Sequence, residues 1–131
     1  MESALIAELL AAPSVKAKVV KRINWVRRPQ GEALPAIVLH VIDRTPDVHH
    51  GGASGVVQAR VQVDCWAASY AAAKSLARAV ETALTARAFS RGAVRFDVIL
   101  SIAERDDSFE EAGKPVFRTS LDLMVHHAAA S

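Results

Sequence analysis

The sequence predicts an α+β fold, in which a mostly antiparallel β-sheet carries one long and one short helix on one face. Residues 57–66 alternate between apolar and polar side chains, which is typical of a strand with one packed face and one wet face. Residues 69–88 repeat apolar side chains at helical spacing, and alternating segments return after them. Strands on both sides of one long helix favour a sheet covered on one side. The predicted order is α-β-β-β-α-β-β.

The length and composition of the chain predict a single domain. The chain has 131 residues, 51% of them hydrophobic, which matches the size of one domain with one core. Alanine contributes 25 residues and buries little area. We therefore expect a thin core in one domain, residues 1–131, with a frayed tail over residues 128–131.

Four elements are predicted in the N-terminal third. Residues 3–12 form a helix with Ser3 as its N-cap, because leucine and isoleucine recur at helical spacing before a proline. Residues 14–20 are compatible with a further helical turn. Residues 23–26 form a short strand, and residues 36–43, rich in valine and isoleucine, form a longer one.

The middle of the chain is predicted as loop, strand and helix. Residues 44–55 combine proline, aspartate, glycine and a histidine pair, which is the composition of a loop. The alternating strand 57–66 follows. Ser69 is the expected N-cap of the long helix 69–88.

The C-terminal third is predicted as a long hairpin. An alternating strand covers residues 94–102, an acidic loop covers residues 104–115, and a final strand covers residues 116–126. The apolar face of the first of these strands is expected to consist of Val94, Phe96, Val98, Leu100 and Ile102.

Charge is distributed unevenly along the chain. Residues 1–44 carry a net charge of +3 (seven Lys/Arg, four Asp/Glu), residues 45–100 carry +2 (six and four), and residues 101–131 carry −3 (three and six). Opposed patches of this kind suit head-to-tail contact between copies of one chain. The alternative is an ordinary solvated surface. The candidate contact residues are Lys16, Lys18, Lys21, Arg22, Arg27, Arg28, Glu104, Asp106, Asp107, Glu110 and Glu111.

The polar residues offer no catalytic, cofactor or metal constellation. The dinucleotide and P-loop glycine motifs do not occur. One cysteine cannot form an internal disulfide, and Cys65 lies in the apolar phase of its strand, which indicates a buried thiol. The five histidines lack the spacing of metal motifs. We therefore predict no enzyme activity, no cofactor and no metal.

Membrane and nucleic-acid roles receive little support. Charged residues interrupt every apolar stretch before it reaches 18 residues, so no transmembrane helix is predicted. The N-terminus lacks the pattern of a secretory signal peptide. An intracellular, reducing setting is the simplest interpretation. The basic stretch 16–28 around Trp25 keeps a small nucleic-acid-binding module open as an alternative. A small α+β enzyme with a polar pocket is the second alternative.

Several stretches together resemble the tail completion, or tail terminator, proteins of long-tailed bacteriophages and prophages. The segment ALPAIV, in which Leu-Pro is flanked by small residues, lies at residues 33–38. The strand QARVQVDCW at 58–66 leads directly into the helix AASYAAAKSLARAVETAL at 67–84. The chain closes with VFRTSLDLMVHH at 116–127. Together these segments extend the resemblance over nearly the whole chain, although no single segment is as specific as a metal-binding motif.

The resemblance implies a structural protein of a virion or virion-like particle. It implies a ring, typically a hexamer, that caps the tail tube, ends its polymerisation and presents a surface to the head-side connector or stopper protein. The expected partners are further copies of the chain, the major tail tube protein and that connector, with DNA passing through the ring without specific recognition. The expected location is the tail-neck region of a virion assembled in the bacterial cytoplasm. The Ala- and Arg-rich composition fits a prophage or a gene transfer agent.

The glycine- and histidine-rich loop is the predicted contact with a partner ring. Segments of this composition are suited to becoming ordered on assembly. The candidate residues are Asp47, His49, His50, Gly51 and Gly52.

Overall fold

Three helices and six strands make up the fold. The computed structural model describes residues 1–29, 31–49, 52–85 and 88–129. The elements are α1 (Glu2–Ala11), α2 (Pro13–Val19), β1 (Ile23–Trp25), β2 (Ala36–His49), β3 (Gly52–Ala67), α3 (Tyr70–Thr85), β4 (Phe89–Arg91), β5 (Val94–Glu111) and β6 (Lys114–Ala129). The predicted α+β class and approximate order are confirmed, with α2 as a separate helix and β4 as an additional short strand.

The six strands form one sheet in the order β1-β2-β3-β6-β5-β4. Only β1 and β2 run parallel, and all other neighbours are antiparallel. The four long strands occupy the centre. One face of the sheet packs against the helices, and we call the opposite face the outer face.

The core lies between the helices and the inner face of the sheet. Val61 and Val63 of β3 and Leu121 and Leu123 of β6 are fully buried and pair across the strands. The α3 side chains Leu76, Val80 and Leu84 are also fully buried in the same cluster. Burying an aliphatic side chain of this size contributes about 1.5–3 kcal/mol. The small residues Ala73 and Ala77 on the same helix are fully buried as well.

The helix ends agree with the prediction at one site and differ at another. The Ala72 amide donates to the Ser69 side-chain oxygen at 3.1 Å, so Ser69 caps α3 as predicted. The predicted cap at Ser3 is wrong, because α1 already begins at Glu2. The Leu5 amide donates to the Met1 carbonyl at 3.0 Å, so the helix is capped at Met1, two residues before the predicted cap.

Both predicted loops are largely strand. The segment predicted as loop 44–55 instead extends β2 to His49 and begins β3 at Gly52. The segment predicted as loop 104–115 extends β5 to Glu111 and begins β6 at Lys114. Cross-strand pairing supplies hydrogen bonds that composition does not reveal, and it overrides a weak local strand preference. Ala128 and Ala129, expected in the frayed tail, belong to β6.

Two β-bulges change which side of β5 each residue faces. Register shifts lie between Phe96 and Val98 and between Ser101 and Ala103. A one-residue shift moves all following side chains to the other face. Phe96 remains buried as predicted, and Ile99 is buried in place of its neighbours. The prediction that Val98, Leu100 and Ile102 lie in the core is therefore wrong, since all three are exposed.

The turn between β5 and β6 contains a residue in an unfavourable conformation. Glu111 pairs with Lys114, so the loop has only two residues, Ala112 and Gly113, with φ angles of 51° and 77°. A left-handed backbone costs a residue with a Cβ atom about 1–2 kcal/mol, and glycine avoids this cost. We expect Ala112→Gly to raise the free energy of unfolding by about 1 kcal/mol in urea denaturation.

The matched control for this substitution is Ala93→Gly in the other two-residue turn, which Arg91 and Val94 flank. Ala93 does not have a positive φ. Ala93→Gly should therefore leave the stability unchanged or lower it. Equal stabilisation by both substitutions would contradict the assignment of strain to Ala112.

Candidate functional site

The outer face of the sheet holds two buried carboxylates although no helix covers it. Asp64 of β3 and Asp122 of β6 expose only 2% and 4% of their surfaces. Both lie in the polar phase of strands whose apolar phase faces the helices. Buried charges of this kind require partners. The neighbouring strands supply these partners.

Asp122 is held by two arginines from the flanking strands. Arg60 of β3 donates to one carboxylate oxygen of Asp122 at 3.0 Å. Arg105 of β5 donates to both oxygens, at 2.9 and 3.3 Å. The hydrogen bonds from Arg105, followed by those from Arg60, hold the pKa of Asp122 below its ordinary value. The arrangement ties β3, β6 and β5 together through one carboxylate.

Asp64 is held mainly by neutral donors. The Ser120 hydroxyl donates to it at 2.6 Å and the Gln62 side-chain amide donates at 2.8 Å. His40 of β2 lies 3.4 Å from the other carboxylate oxygen. Side chains of β2, β3 and β6 therefore meet at Asp64, one step along the sheet from the Asp122 cluster.

An aromatic and cationic cluster occupies the next part of the outer face. The guanidinium groups of Arg28 and Arg118 lie 5.2 and 5.4 Å from the centre of the Trp66 ring, and the Phe109 ring lies 5.5 Å away. Arg28 forms an ion pair with Glu111. A cavity of about 350 Å³ lies beside the Trp66 ring and reaches Val38.

The acidic segment of β5 also pairs with the long helix. Lys74 of α3 forms ion pairs with Glu104 and, at 2.9 Å, with Asp106. Arg78 of the same helix pairs with Glu104. The hydrogen bonds from Lys74 lower the pKa values of both carboxyl groups. These contacts hold the exposed half of β5 against the helix.

Most of the predicted acidic contact residues therefore have partners within the chain. Glu104 and Asp106 pair with α3, and Glu111 pairs with Arg28. Asp107 pairs with Arg118 at 2.7 Å. Glu110 is exposed and has no ion-pair partner within the described residues.

The predicted basic contact residues divide into structural and free groups. Arg22 donates to the carbonyl oxygens of Pro35 and Lys18 at 2.9 and 3.1 Å, which fixes the chain around β1. Arg28 is held by Glu111. The remaining four have no ion-pair partner in the part of the chain that the structure describes: Lys16, Lys18, Lys21 and Arg27. Of these, Lys16, Lys21 and Arg27 are exposed.

Three of the predicted partner-ring residues lie in the described parts of the β2–β3 hairpin. Asp47 and His49 belong to β2, and Gly52 begins β3. His50 and Gly51 lie outside the described residues.

The described side chains offer few means of catalysis. No group of three or more His, Cys, Asp or Glu residues that could hold a metal occurs within 1–29, 31–45, 56–85 and 88–129. Cys65 is fully buried, as predicted, and burial raises the pKa of its thiol well above the ordinary range. None of the described helices is long and apolar enough to cross a membrane.

Sequence reasoning missed the two buried carboxylates and their arginines. The sequence did contain a signal for the two carboxylates, because Asp64 and Asp122 each lie in the polar phase of a predicted strand. Arg60 lies in the polar phase of the same strand as Asp64. Arg105 carried no such signal, because residues 104–115 were predicted as a loop. Arg105 lies opposite Ser120, and the bulge at Ile102 sets the register that brings its guanidinium group to Asp122.

Comparison with known proteins identifies the family. The family model described as tail completion protein gp17 matches residues 3–127. The chain belongs to this family, which places it among the structural proteins of phage tails, as the resemblance predicted. No significant match was found among curated proteins.

A solved structure supports the fold independently. A chain from the virion of a native gene transfer agent particle superposes with a TM-score of 0.76 at 20% sequence identity. The match covers 98% of this chain and 94% of that chain. At this identity the likeness concerns the fold.

The Asp122 network predicts a stability that depends on pH. We expect Asp122→Asn to lower the free energy of unfolding at pH 7 by about 2 kcal/mol, because two arginines lose a charged acceptor. The lowered pKa of Asp122 means that the native state resists its protonation. This stabilisation is complete at neutral pH and declines as the pH falls below the ordinary value of 3.8. Urea titrations should show the difference between wild type and variant shrinking over that range.

The control is Asp107→Asn, which breaks the exposed pair with Arg118. Solvent screens this pair, so we expect a loss below about 1 kcal/mol. An Asp122→Asn variant as stable as the control would contradict the structural role of the network.

Proposed function

We propose that this chain is the subunit of a ring that caps the tail tube, ends tail polymerisation and forms the interface to the head-side connector. The observation that carries the proposal is the match to the tail completion family over residues 3–127. The fold likeness to a chain of a gene transfer agent virion adds support. The proposed location is the tail-neck region of a virion assembled in the bacterial host cytoplasm.

The two long hairpins suit a protein that joins two different partners. The β2–β3 hairpin extends beyond the pairing of β3 with β6, which ends at Val57 and His127. The β5–β6 hairpin extends in the opposite direction, beyond the pair Ala67 and Phe117. We assign one end to the major tail tube protein and the other to the head-side connector.

The end of the β5–β6 hairpin offers a groove for such a partner. A cavity of about 410 Å³ is lined by the apolar residues Leu34, Ala68, Pro115 and Val116. Arg28, Glu32, Glu111 and Lys114 add charged groups around it. An apolar floor with a charged rim is typical of the sites where proteins contact one another.

The ring itself is proposed to form by head-to-tail contact, as a hexamer. A heterologous contact closes into a ring when the rotation between neighbours completes a circle. The free cations Lys16, Lys21 and Arg27 provide the positive surface, and Glu110, the acidic residue of β5 that has no ion-pair partner among the described residues, provides the negative one. DNA passes through such a ring without base recognition, which requires no sequence-reading residues.

Electron microscopy of the purified protein tests the proposal. We expect closed rings of uniform subunit number, either alone or at the ends of purified tail tubes. Because opposed charges contribute to the contact, the rings should dissociate more readily at high salt. A protein that remains monomeric at high concentration and binds neither tail tubes nor connector rings would rule out the proposal.

Removal of residues 49–53 tests the proposed role of the β2–β3 hairpin end. The deletion lies beyond the pairing of β3 with β6, so the sheet and its melting temperature should change little. Joining of heads to tails, counted by electron microscopy of assembly mixtures, should fall strongly. Unchanged joining by the shortened protein would refute this role.

A further inference from the structure

The strand β1 is a short element at one edge of the sheet. It has three residues and pairs in parallel with Ile37–Leu39 of β2. The Ile37 amide donates to the Arg22 carbonyl at 2.9 Å, and the Val26 amide donates to the Leu39 carbonyl at 2.8 Å. These two bonds hold the ends of the strand. An edge element with so few backbone partners belongs to the parts of a native protein that open most readily.

The turn that leads into β1 places a valine where glycine is usual. The Arg22 amide donates to the Val19 carbonyl at 2.8 Å, which closes a four-residue turn over residues 19–22. Val20, the second residue of this turn, has φ and ψ angles of 60° and −84°. A positive φ at this position is characteristic of type II′ turns, in which glycine predominates. A β-branched residue in this region is a conformational outlier.

The turn that follows β1 has a second valine with a positive φ. The Arg27 amide donates to the Trp25 carbonyl at 2.9 Å, so residues 25–27 form a γ-turn. Val26, at the centre of this turn, has a φ angle of 73°. A γ-turn with a positive φ at its centre is rare and strained. Strained backbone therefore flanks β1 on both sides.

Neither valine gains packing that offsets this strain. Val20 and Val26 expose 52% and 69% of their surfaces. Stabilisation by an apolar side chain is proportional to the area that folding removes from water. Backbone outliers of this kind persist only where surrounding contacts hold them, and they cluster at switch regions and functional sites. The strain is released when the segment leaves the sheet.

Trp25 adds an unpaired donor to the same segment. Its indole Nε1 is buried and has no hydrogen-bond partner within the described chain. A buried donor without a partner has lost the hydrogen bond that water supplies in the exposed state. Opening of the segment lets the indole recover this bond. The indole therefore favours the open state together with the two strained turns.

A small number of side-chain contacts holds the segment closed. Ile23 is buried in the core cluster. Arg22 donates to two backbone carbonyl oxygens. Arg28, just beyond the second turn, pairs with Glu111 and lies over the Trp66 ring. These contacts keep β1 on the sheet in the closed state although its backbone is strained.

We propose that residues 20–26, which we call the strap, form a strained element that opens as a unit while the rest of the sheet stays folded. This inference goes beyond the proposed function and does not depend on ring formation. In the closed state the strap pairs with the backbone groups of Ile37 and Leu39. Opening frees those groups, releases the strain at both valines and exposes the Trp25 indole.

Hydrogen–deuterium exchange of the full chain, followed by mass spectrometry over a series of low urea concentrations, tests the proposal. Local opening exposes little surface, so exchange at residues 23–26 should be nearly independent of urea. We expect the opening equilibrium constant there to be at least about 100-fold larger than at residues 61–65 of β3. Residues 61–65 should exchange through global unfolding, with a strong dependence on urea. The Ile37 amide, which bonds to Arg22, should exchange with the strap.

The double variant Val20→Gly/Val26→Gly tests whether strain drives the opening. Glycine adopts a positive φ without a clash at Cβ, so the variant should favour the closed strap. We expect exchange at residues 23–26 to slow about 10-fold, after allowing for the greater freedom of glycine in the open state. Val98→Gly is the matched control, because Val98 is an exposed valine of β5 without a positive φ. It should leave exchange of the strap unchanged.

The outcomes decide the proposal in either direction. Urea-independent exchange of the strap that the double variant slows and the control does not would support it. Strap amides that exchange only together with the rest of the sheet would overturn it. Rapid exchange that the glycine substitutions leave unchanged would also overturn it, because stored strain would then not drive the opening. If the double variant does not fold, Val20→Gly and Val26→Gly are measured separately, with the same outcomes deciding.

Discussion

The pairing register of the four long strands is the constraint on which the rest of the structure depends. Because side chains alternate along a strand, this register places Val61 and Leu123 against the helices and Asp64 and Asp122 on the outer face. A slip of one residue would bury the carboxylates under the helices and expose the core. The same register brings Arg60 and Arg105 to Asp122, so the polar network and the apolar core are two results of one arrangement. Stability on the uncovered face therefore comes from ion pairs that lock neighbouring strands together.

This arrangement limits where charge remains for other molecules. Acidic residues that are conspicuous in the sequence, such as Glu104 and Glu111, are used to attach β5 to α3 and to the segment after β1. Cations around β1, such as Lys21 and Arg27, stay exposed. The centre of the outer face is consequently occupied by contacts within the chain. A thin subunit with two open edges and two opposed hairpins suits a role as a part of a larger structure.

Bulges decide the character of the edges. The shift between Phe96 and Val98 in β5 turns Val98 and Leu100 away from the core, and the shift at Ile102 interrupts the regular ladder of that strand a second time. The shift at Ile42 interrupts the ladder of β2 in the same way. Without these shifts, the apolar alternation of residues 94–102 would face the core, as the pattern alone indicates. The exposure of Val98 and Leu100 is thus a product of local register and not of composition.

The sequence by itself determined the α+β class, the alternating strand β3, the long helix α3 with its Ser69 cap, and the tail completion family, because these depend on local periodicity, capping and contiguous motifs. It also indicated that Cys65 is buried. Only the tertiary structure decided the extent of the hairpins, the exposure of Val98 and Leu100, and the partners of Asp64 and Asp122. These features depend on which residues lie opposite each other across strands that are distant in the chain. Local pattern carries no information on a register shift, and a single shift reverses the face that every later side chain occupies.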